Sequence, residues 1–271
     1  MGEASAINQA HEPIAIVGSA CRFPGGASSP SKLWSLLKEP RDVVQEVPPT
    51  RFDPKVFYHT DPLHHTVRTQ PNYSYEKLRR YLKLIRWKST NAKFAYLLQD
   101  DPRAFDRDFF NISPKEAEAM DPQQRCLLEI VYEGIDSAGY SISQLRGSST
   151  GVFVGAMSYD YQYVAMRGVD SLPQYHATGT STAILANRLS YFFDWRGASL
   201  ALDTACSSSL VALHQAALSL RSGQVDMAVA AGVNLILGPE PFIAYSKVCL
   251  STASCLNMLL FGIVLTVARK S

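Results

Sequence analysis

Short apolar runs alternate with longer segments of helical periodicity, and this alternation limits the possible folds of the chain more than any other feature. Four runs are typical of buried strands, at 14–17, 149–157, 198–205 and 226–237. Three segments between them are typical of helices, at 29–40, from about 122 to 138, and 178–195. Strands that alternate with helices in this way form layered domains around a mostly parallel sheet. We therefore predict an α/β fold.

Local signals predict where several elements end. Gly18 opens a cluster of glycine and proline, so we expect the first strand to end there in a tight loop. In the second helix Leu127 and Ile135 lie on one face, and Gly139 follows its end. The spacing of apolar residues over 178–195 predicts one continuous helix.

The composition excludes several classes of function. Hydrophobic residues make up 46% of the 271 residues, enough for a sizeable core. The formal net charge of +2 gives no reason to expect a nucleic-acid partner. The five cysteines show neither CxxC spacing nor clustering with histidines, so we predict no metal site and no disulfide framework. The N-terminus has no apolar signal segment, and we expect a cytoplasmic protein with reduced thiols.

Residues 67–88 differ in charge from the rest of the chain. They hold seven Lys or Arg and one Glu, a local net charge of +6. Leu78, Leu82 and Ile85 would form an apolar helical face opposite the basic residues, as in membrane-surface helices and calmodulin targets. The other explanation is the translation of an unremoved intron, and we favour that one. Either way, the segment is predicted to be a foreign insert.

The C-terminal segment 248–271 is also unusual. Its residues 248–268 contain no charged side chain, and Arg269 and Lys270 follow. A membrane span needs about 20 apolar residues, but the strongly apolar part begins only at Leu256. We therefore expect a read-through or frameshifted end in preference to a membrane anchor.

Cys206 lies where a strand-like run changes into a helical pattern. Beyond it Leu210, Leu213 and Ala217 recur at helical spacing, and Cys206 falls on the same stripe. We therefore expect its thiol to face the interior or a pocket. Unpaired N–H groups at a helix N-terminus favour a thiolate, and a nucleophile at a strand–turn–helix corner has the geometry of a nucleophile elbow. From these features alone, Cys206 is either a nucleophile or a buried structural cysteine.

Several blocks of the sequence resemble one known family. DTACSSSLVALHQA resembles the active-site block of β-ketoacyl synthases, specifically the ketosynthase domain of fungal type I polyketide synthases. Further blocks resemble the same domain in the same order: EPIAIVGSACRFPGG, DPRAFDRDFFNISPKEAEAMDPQQR, GVFVGA, ATGTSTAILANRLSYFFDWRGASL and DMAVAAGVNLILGPEPFIAYSK. We therefore predict a β-ketoacyl synthase N-terminal domain at 12–247, interrupted at 67–88, and a tail at 248–271 that is unrelated to the family.

The resemblance implies both a fold and a reaction. The fold is thiolase-like, with the first βαβαβ half present and the second half missing, and the family usually forms homodimers. Cys206 matches the family's catalytic nucleophile, which takes an acyl group from the phosphopantetheine thioester of an acyl carrier protein. A malonyl extender then loses carbon dioxide, and its enolate attacks the acyl-enzyme in a Claisen condensation. No directly bound cofactor is implied, because the carrier's phosphopantetheine brings the substrates.

The family's reaction also needs two histidines and a lysine from the second half of the fold. Only 65 residues follow Cys206, and His214 is the only histidine among them. We predict that His214 packs on its helix instead of acting as a base, and His176 matches no catalytic position of the family. Three other histidines fall in a polar loop: His59, His64 and His65. We therefore expect acyl transfer without condensation, and two alternatives stay open, a non-catalytic dimerisation or interaction fragment and a truncated gene product.

Overall fold

A computed structural model of the chain describes residues 13–49, 51–58, 90, 92–166, 172–248 and 261–269. The strands in this part of the chain are β1 Ile14–Arg22, β2 Gln45–Glu46, β3 Phe94–Ala95, β4 Gly151–Ala156, β5 Ser199–Leu202, β6 Met227–Asn234 and β7 Phe261–Arg269. The helices are α1 Pro30–Lys38, α2 Pro54–Phe57, α3 Pro114–Ala119, α4 Pro122–Ser137, α5 Ile142–Leu145, α6 Asp160–Ala165, α7 His176–Thr180, α8 Ile184–Phe193, α9 Ser208–Arg221 and α10 Glu240–Val248.

The main sheet has five strands in the order β1-β7-β6-β4-β5. Strand β4 pairs in parallel with both β5 and β6, as the alternating pattern predicted. Strand β7 is antiparallel to both of its neighbours, β1 and β6. The sheet is therefore mixed, and the prediction of a mostly parallel sheet is corrected for the half that contains β7. Strands β2 and β3 form a separate antiparallel pair.

Helices cover both faces of the main sheet. On one face α4 contacts β1 and β7, and α8 contacts β4 and β5. On the other face α9 contacts β4 and β6. Neighbouring residues of β4 separate accordingly, since Val152 and Val154 belong to the core under α4 and α8 while Phe153 belongs to the core under α9. The predicted layered α/β architecture is confirmed.

The predicted end of the first strand is wrong. Strand β1 continues through Gly18 to Arg22, with a shift of register between Ile16 and Gly18. A Cβ atom at Gly18 would lie 2.2 Å from the carbonyl oxygen of Gly134 in α4. The glycine therefore allows a helix to cross close to the strand, and no turn is built there.

The predicted helix at 178–195 is divided in two. Helix α7 ends at Thr180 and α8 begins at Ile184, because Ser181 between them has an extended backbone (ψ 130°). The preceding turn is held by α4, since the carbonyl oxygen of Gly179 accepts hydrogen bonds from the N–H of Asp121 and from Nε2 of Gln124. Tertiary contacts therefore decide where this helix breaks.

Of the two segments that were predicted to be foreign, the structure describes only part of the C-terminal tail. The insert 67–88 lies outside the described residues. In the tail, Phe261–Arg269 is strand β7, paired with strands on both sides. A helical membrane anchor over 248–268, the alternative that we did not favour, is therefore wrong for residues 261–268. In the described part of the chain, no helix has the length and apolar character to cross a bilayer. The predicted boundary at 247 and the origin of the tail stay predictions.

Candidate active site

The turn that carries Cys206 joins the end of β5 to the start of α9, as predicted. Ala205 has a positive φ of 55°, which reverses the chain directly before the cysteine. Two serines hold this turn. Ser207 Oγ donates to the carbonyl oxygen of Thr204 (2.8 Å), and Ser208 Oγ donates to that of Ala205 (2.7 Å) while accepting from the N–H of Thr204 (2.8 Å). The cysteine is therefore presented on a turn with its own hydrogen bonds.

Two glycines bring the first turn of α9 into direct contact with the sheet. Gly155 of β4 and Gly232 of β6 stand opposite each other in the parallel register. A Cβ atom at Gly155 would lie 2.4 Å from the carbonyl carbon of Ser208, and one at Gly232 would lie 2.5 Å from Cβ of Ser209. Only hydrogen at both positions allows the helix to start this close to the strands. Sequence reasoning missed these glycines, although both lie in blocks that resemble the family.

We expected the thiol to face the interior or a pocket, and the interior is wrong for the described chain, because Cys206 is exposed. The predicted stripe is divided, because Leu210 is 69% exposed whereas Leu213 is half-buried against the core under α9. The buried residues of α9 up to Ala216 are small, Ser208, Ala212 and Ala216, and Leu220 is buried near its end. Ser208 lies against Gly155 of the sheet, whereas Ala212 and Ala216 pack in the core that contains Phe153. Cys206, two residues before the helix, and Leu210 in its first turn are both exposed in the described chain.

Tyr245 of α10 lies near the cysteine turn. It has a raised pKa, for which burial is the main cause. Electrostatic interactions with Cys206, Asp203 and Tyr159 raise the same pKa further, so these residues lie within electrostatic reach of Tyr245. Asp203 also accepts the N–H of Ala205 (2.8 Å). Tyr245 was not predicted, because nothing in its local sequence indicates that α10 returns to the cysteine turn.

The other described cysteines are less exposed than Cys206. Burial raises the pKa of Cys126 to about 12 and also raises the pKa of Cys21, because a buried thiolate loses its hydration. Neither of them would be a thiolate near neutral pH. Of the described thiols, Cys206 is the exposed one.

The described histidines do not meet at the cysteine. His214 is exposed on α9, eight residues beyond Cys206, which is about 12 Å along the helix axis. His176 begins α7, a helix that contacts α3, α6 and α8. The remaining candidates lie outside the described residues: His59, His64 and His65. Among the residues that are described, no cluster of three potential metal ligands occurs.

Comparison with known proteins identifies the family. The sequence profile described as "Beta-ketoacyl synthase, N-terminal domain" matches residues 11–81 and 76–258. This chain belongs to the β-ketoacyl synthase family. The two matched segments of the synthase domain meet inside the basic segment 67–88, and the second extends past residue 247.

Among the relatives of this synthase domain are fungal polyketide synthases. Polyketide synthase 19 of Gibberella fujikuroi is 69% identical over 239 residues, which are 88% of this chain and 9% of the relative. Reducing polyketide synthase grgA of a Penicillium species is 65% identical over 238 residues, again 88% of this chain and 9% of the relative. The chain therefore spans less than a tenth of the length of these relatives.

Solved ketosynthase structures have the same fold. The oxazolomycin ketosynthase domain OzmH KS7 of Streptomyces albus is 34% identical, with a TM-score of 0.78 over 95% of this chain and 42% of that domain. The ketosynthase from module 6 of the bacillaene synthase of Bacillus subtilis is 30% identical, with a TM-score of 0.72 over 94% of this chain and 40% of that one. The predicted thiolase-like fold is thereby confirmed.

Proposed function

We propose that this chain is the acyl-accepting part of a ketosynthase. The thiolate of Cys206 attacks the carbonyl carbon of an acyl thioester, and the tetrahedral intermediate expels the donor thiolate, which takes a proton from water. The acyl group stays on Sγ as a new thioester. The observation that carries this proposal is the position of Cys206 in a member of this family, exposed on a turn directly before the fourteen-residue helix α9.

The acyl donor that we propose is the phosphopantetheine thioester of an acyl carrier protein. An exposed sulfur suits such a donor, because the reacting thioester arrives on a long arm from another protein. The sulfur lies next to the start of α9, and the positive end of a helix favours negative charge on the oxygen of the tetrahedral intermediate. We place the protein in the cytoplasm, where Cys206 would stay reduced.

In the complete synthase, we propose, the acyl-enzyme is consumed in a decarboxylative Claisen condensation. A malonyl thioester loses carbon dioxide, its enolate attacks the acyl carbon on Cys206, and the cysteine leaves as a thiolate. This step needs groups that polarise the malonyl thioester carbonyl, and neither described histidine is placed at the cysteine. We therefore expect the chain on its own to stop at the acyl-enzyme.

Mass spectrometry of the intact protein tests the acylation step. The full chain is incubated near neutral pH with an acyl thioester, first alone and then with a malonyl carrier protein. We expect the mass of one acyl group on the wild-type protein and none on Cys206→Ala, because removal of the nucleophile leaves no sulfur to acylate. A tryptic digest should place the group on the peptide that contains Cys206.

Cys126→Ala is the matched control, since the raised pKa of Cys126 keeps that thiol protonated. This variant should be acylated as fast as the wild type. Equal labelling of wild-type and Cys206→Ala chains would refute the acyl-acceptor role, and a β-ketoacyl product from the chain alone would refute the expected arrest.

A second function, pairing of two copies of the chain, is favoured by one edge of the sheet. Strand β5 has a sheet partner on one side only, β4, among the described residues. Leu200 in this strand is 48% exposed, and Tyr191 of the adjoining α8 is 88% exposed. An unpaired edge with apolar side chains favours association with another strand edge. We propose that β5 is a homodimer contact.

A further inference from the structure

A cavity of about 640 Å³ lies apart from Cys206, which is not among its lining residues. One wall is the loop 98–103, and the opposite wall is formed by the first turn of α4 and by Tyr161 of α6. Arg51, which precedes α2, and Arg125 of α4 both line it. The function proposed above uses none of these residues.

The two arginines are half-buried and incompletely satisfied. Nη1 of Arg51 donates to the carbonyl oxygen of Ile236 (2.8 Å), and Nη1 of Arg125 donates to that of Arg103 (3.2 Å). Nε of Arg125 is buried and has no hydrogen-bond partner in the described part of the chain. Burial is the main cause that lowers the pKa of both arginines. Two guanidinium groups therefore reach one cavity after losing much of their hydration.

Three acidic residues line the cavity, Asp100, Asp101 and Glu118. Of these, Asp101 favours the charged form of both arginines. Asp101 is held by Arg103, with oxygen–nitrogen distances of 3.0 Å to Nε and 3.0 Å to Nη2. Asp160 favours the charged form of Arg51. However, Oδ2 of Asp160 already accepts hydrogen bonds from the N–H groups of Leu237 and Gly238. Burial also raises the pKa of Asp160. Neither Arg51 nor Arg125 forms an ion pair with another described residue.

We propose that this cavity binds a phosphate-type oxyanion, and that Arg51 and Arg125 hold it. Guanidinium groups bind phosphate oxygens through paired, charge-assisted N–H donors, and such bonds strengthen where water is excluded. The volume exceeds what a phosphate ion needs, so the ion can be free or can be the phosphate group of a small organic molecule. This site is independent of the acyl transfer proposed for Cys206.

Calorimetric titration of the full chain tests the site with two probes, inorganic phosphate and glycerol 3-phosphate, at constant ionic strength. We expect wild-type protein to bind at least one probe with a Kd of about 1 mM or tighter. Arg51→Gln and Arg125→Gln should each weaken binding about tenfold or more, because each removes a charged donor. Arg107→Gln is the matched control, since it is the same chemical change at an arginine that pairs with Asp108 and does not line the cavity. Its affinity should stay close to that of the wild type.

The two probes distinguish the two sources of the anion. Tighter binding of glycerol 3-phosphate identifies an organic phosphate, and equal binding of both probes identifies free phosphate. The proposal is overturned if wild-type protein binds neither probe below about 10 mM, a result that needs no variant to fold. It is also overturned if Arg107→Gln weakens binding as much as Arg125→Gln. Cys206→Ala should bind both probes as the wild type does, which keeps this test separate from that of acyl transfer.

Discussion

Gly155 and Gly232 determine how closely the helix behind Cys206 approaches the sheet. At each glycine, atoms of the first turn of α9 occupy the space that a Cβ atom would need. The two contacts differ in kind, because Gly155 faces the backbone of Ser208 whereas Gly232 faces the side chain of Ser209. This difference allows the close packing to be tested by rescue.

We expect Gly232→Ala to lower the free energy of unfolding by about 1–3 kcal/mol, because the new methyl group overpacks against Cβ of Ser209. Ser209→Gly in the same chain removes that Cβ and should recover most of the loss. Urea unfolding of the single and double variants measures the coupling. Gly155→Ala is the control, since its clash with the Ser208 backbone should persist in a Ser209→Gly background. Strictly additive effects at 209 and 232 would contradict the contact.

Asp121 is a buried carboxyl group that caps α4. It accepts the N–H of Gln123 (2.8 Å) and a hydrogen bond from Nε2 of the same residue (3.1 Å). Burial raises the pKa of Asp121 from 3.8 to about 6 despite these bonds. The folded protein therefore holds this proton more tightly than the unfolded chain does.

The raised pKa predicts a pH dependence of stability. The stabilisation by the bound proton is complete below the unfolded pKa of 3.8 and is lost as the pH rises through about 6. Asp121→Asn cannot titrate, so the stability of the wild type relative to this variant should fall by about 1–3 kcal/mol between pH 4 and pH 7. Urea unfolding at several pH values measures this difference. A difference that is constant or rises with pH would show that the group is not desolvated.

At the scale of elements, strand β7 joins the two parts of the main sheet. It stands between β1 and β6, and without it neither strand has a partner on that side. Val264 and Thr266 are fully buried, and Thr266 Oγ1 donates to the carbonyl oxygen of Gly134 in α4 (3.4 Å). The segment expected to lie outside the domain therefore supplies part of its core.

A charge within β7 should unfold the domain. Val264→Asp places an unpaired carboxylate at a fully buried site, and we expect a loss of about 3–5 kcal/mol or the loss of cooperative unfolding. Thermal unfolding followed by circular dichroism measures the effect. Val56→Asp on α2 makes the same chemical change where the side chain is 70% exposed, and its Tm should change little. Similar Tm values for both variants would mean that β7 does not belong to the folded sheet.

At the scale of the whole molecule, apolar side chains remain exposed on β5, α8 and α9. Leu200, Tyr191 and Leu210 are all more than two-fifths exposed. Large exposed apolar patches on a protein mark surfaces that bind other proteins. The proposed homodimer contact at β5 would cover one of them.

Sedimentation measurements test the pairing of two copies. We expect the wild-type chain to dimerise at concentrations of about 10 µM, and Leu200→Lys to weaken the dimer about tenfold or more by placing charge at the shared edge. Leu37→Lys on α1 is the matched control, because Leu37 is 63% exposed and its helix contacts β1, at the opposite edge of the sheet. A monomeric wild type, or equal weakening by both variants, would exclude β5 as the contact.

The sequence by itself was sufficient for the family, the layered α/β class, the strands β4, β5 and β6, and the place of Cys206 between a strand and a helix. These features depend on local periodicity and on the order of the family-like blocks, and both are properties of the linear sequence. The helix α4 was predictable for the same reason, since its buried side chains Leu127 and Ile135 recur at helical spacing.

Only the tertiary structure decided which side of α9 is buried. Both sides of this helix are apolar, so periodicity could not distinguish the stripe of Leu210 from the stripe of Ala212 and Ala216. At the start of the helix the choice depends on Gly155 and Gly232, which are distant in sequence and allow Ser208 and Ser209 to lie directly against the sheet. The insertion of β7 and the return of Tyr245 to the cysteine are likewise non-local, because strand pairing and helix docking join residues that no local pattern connects.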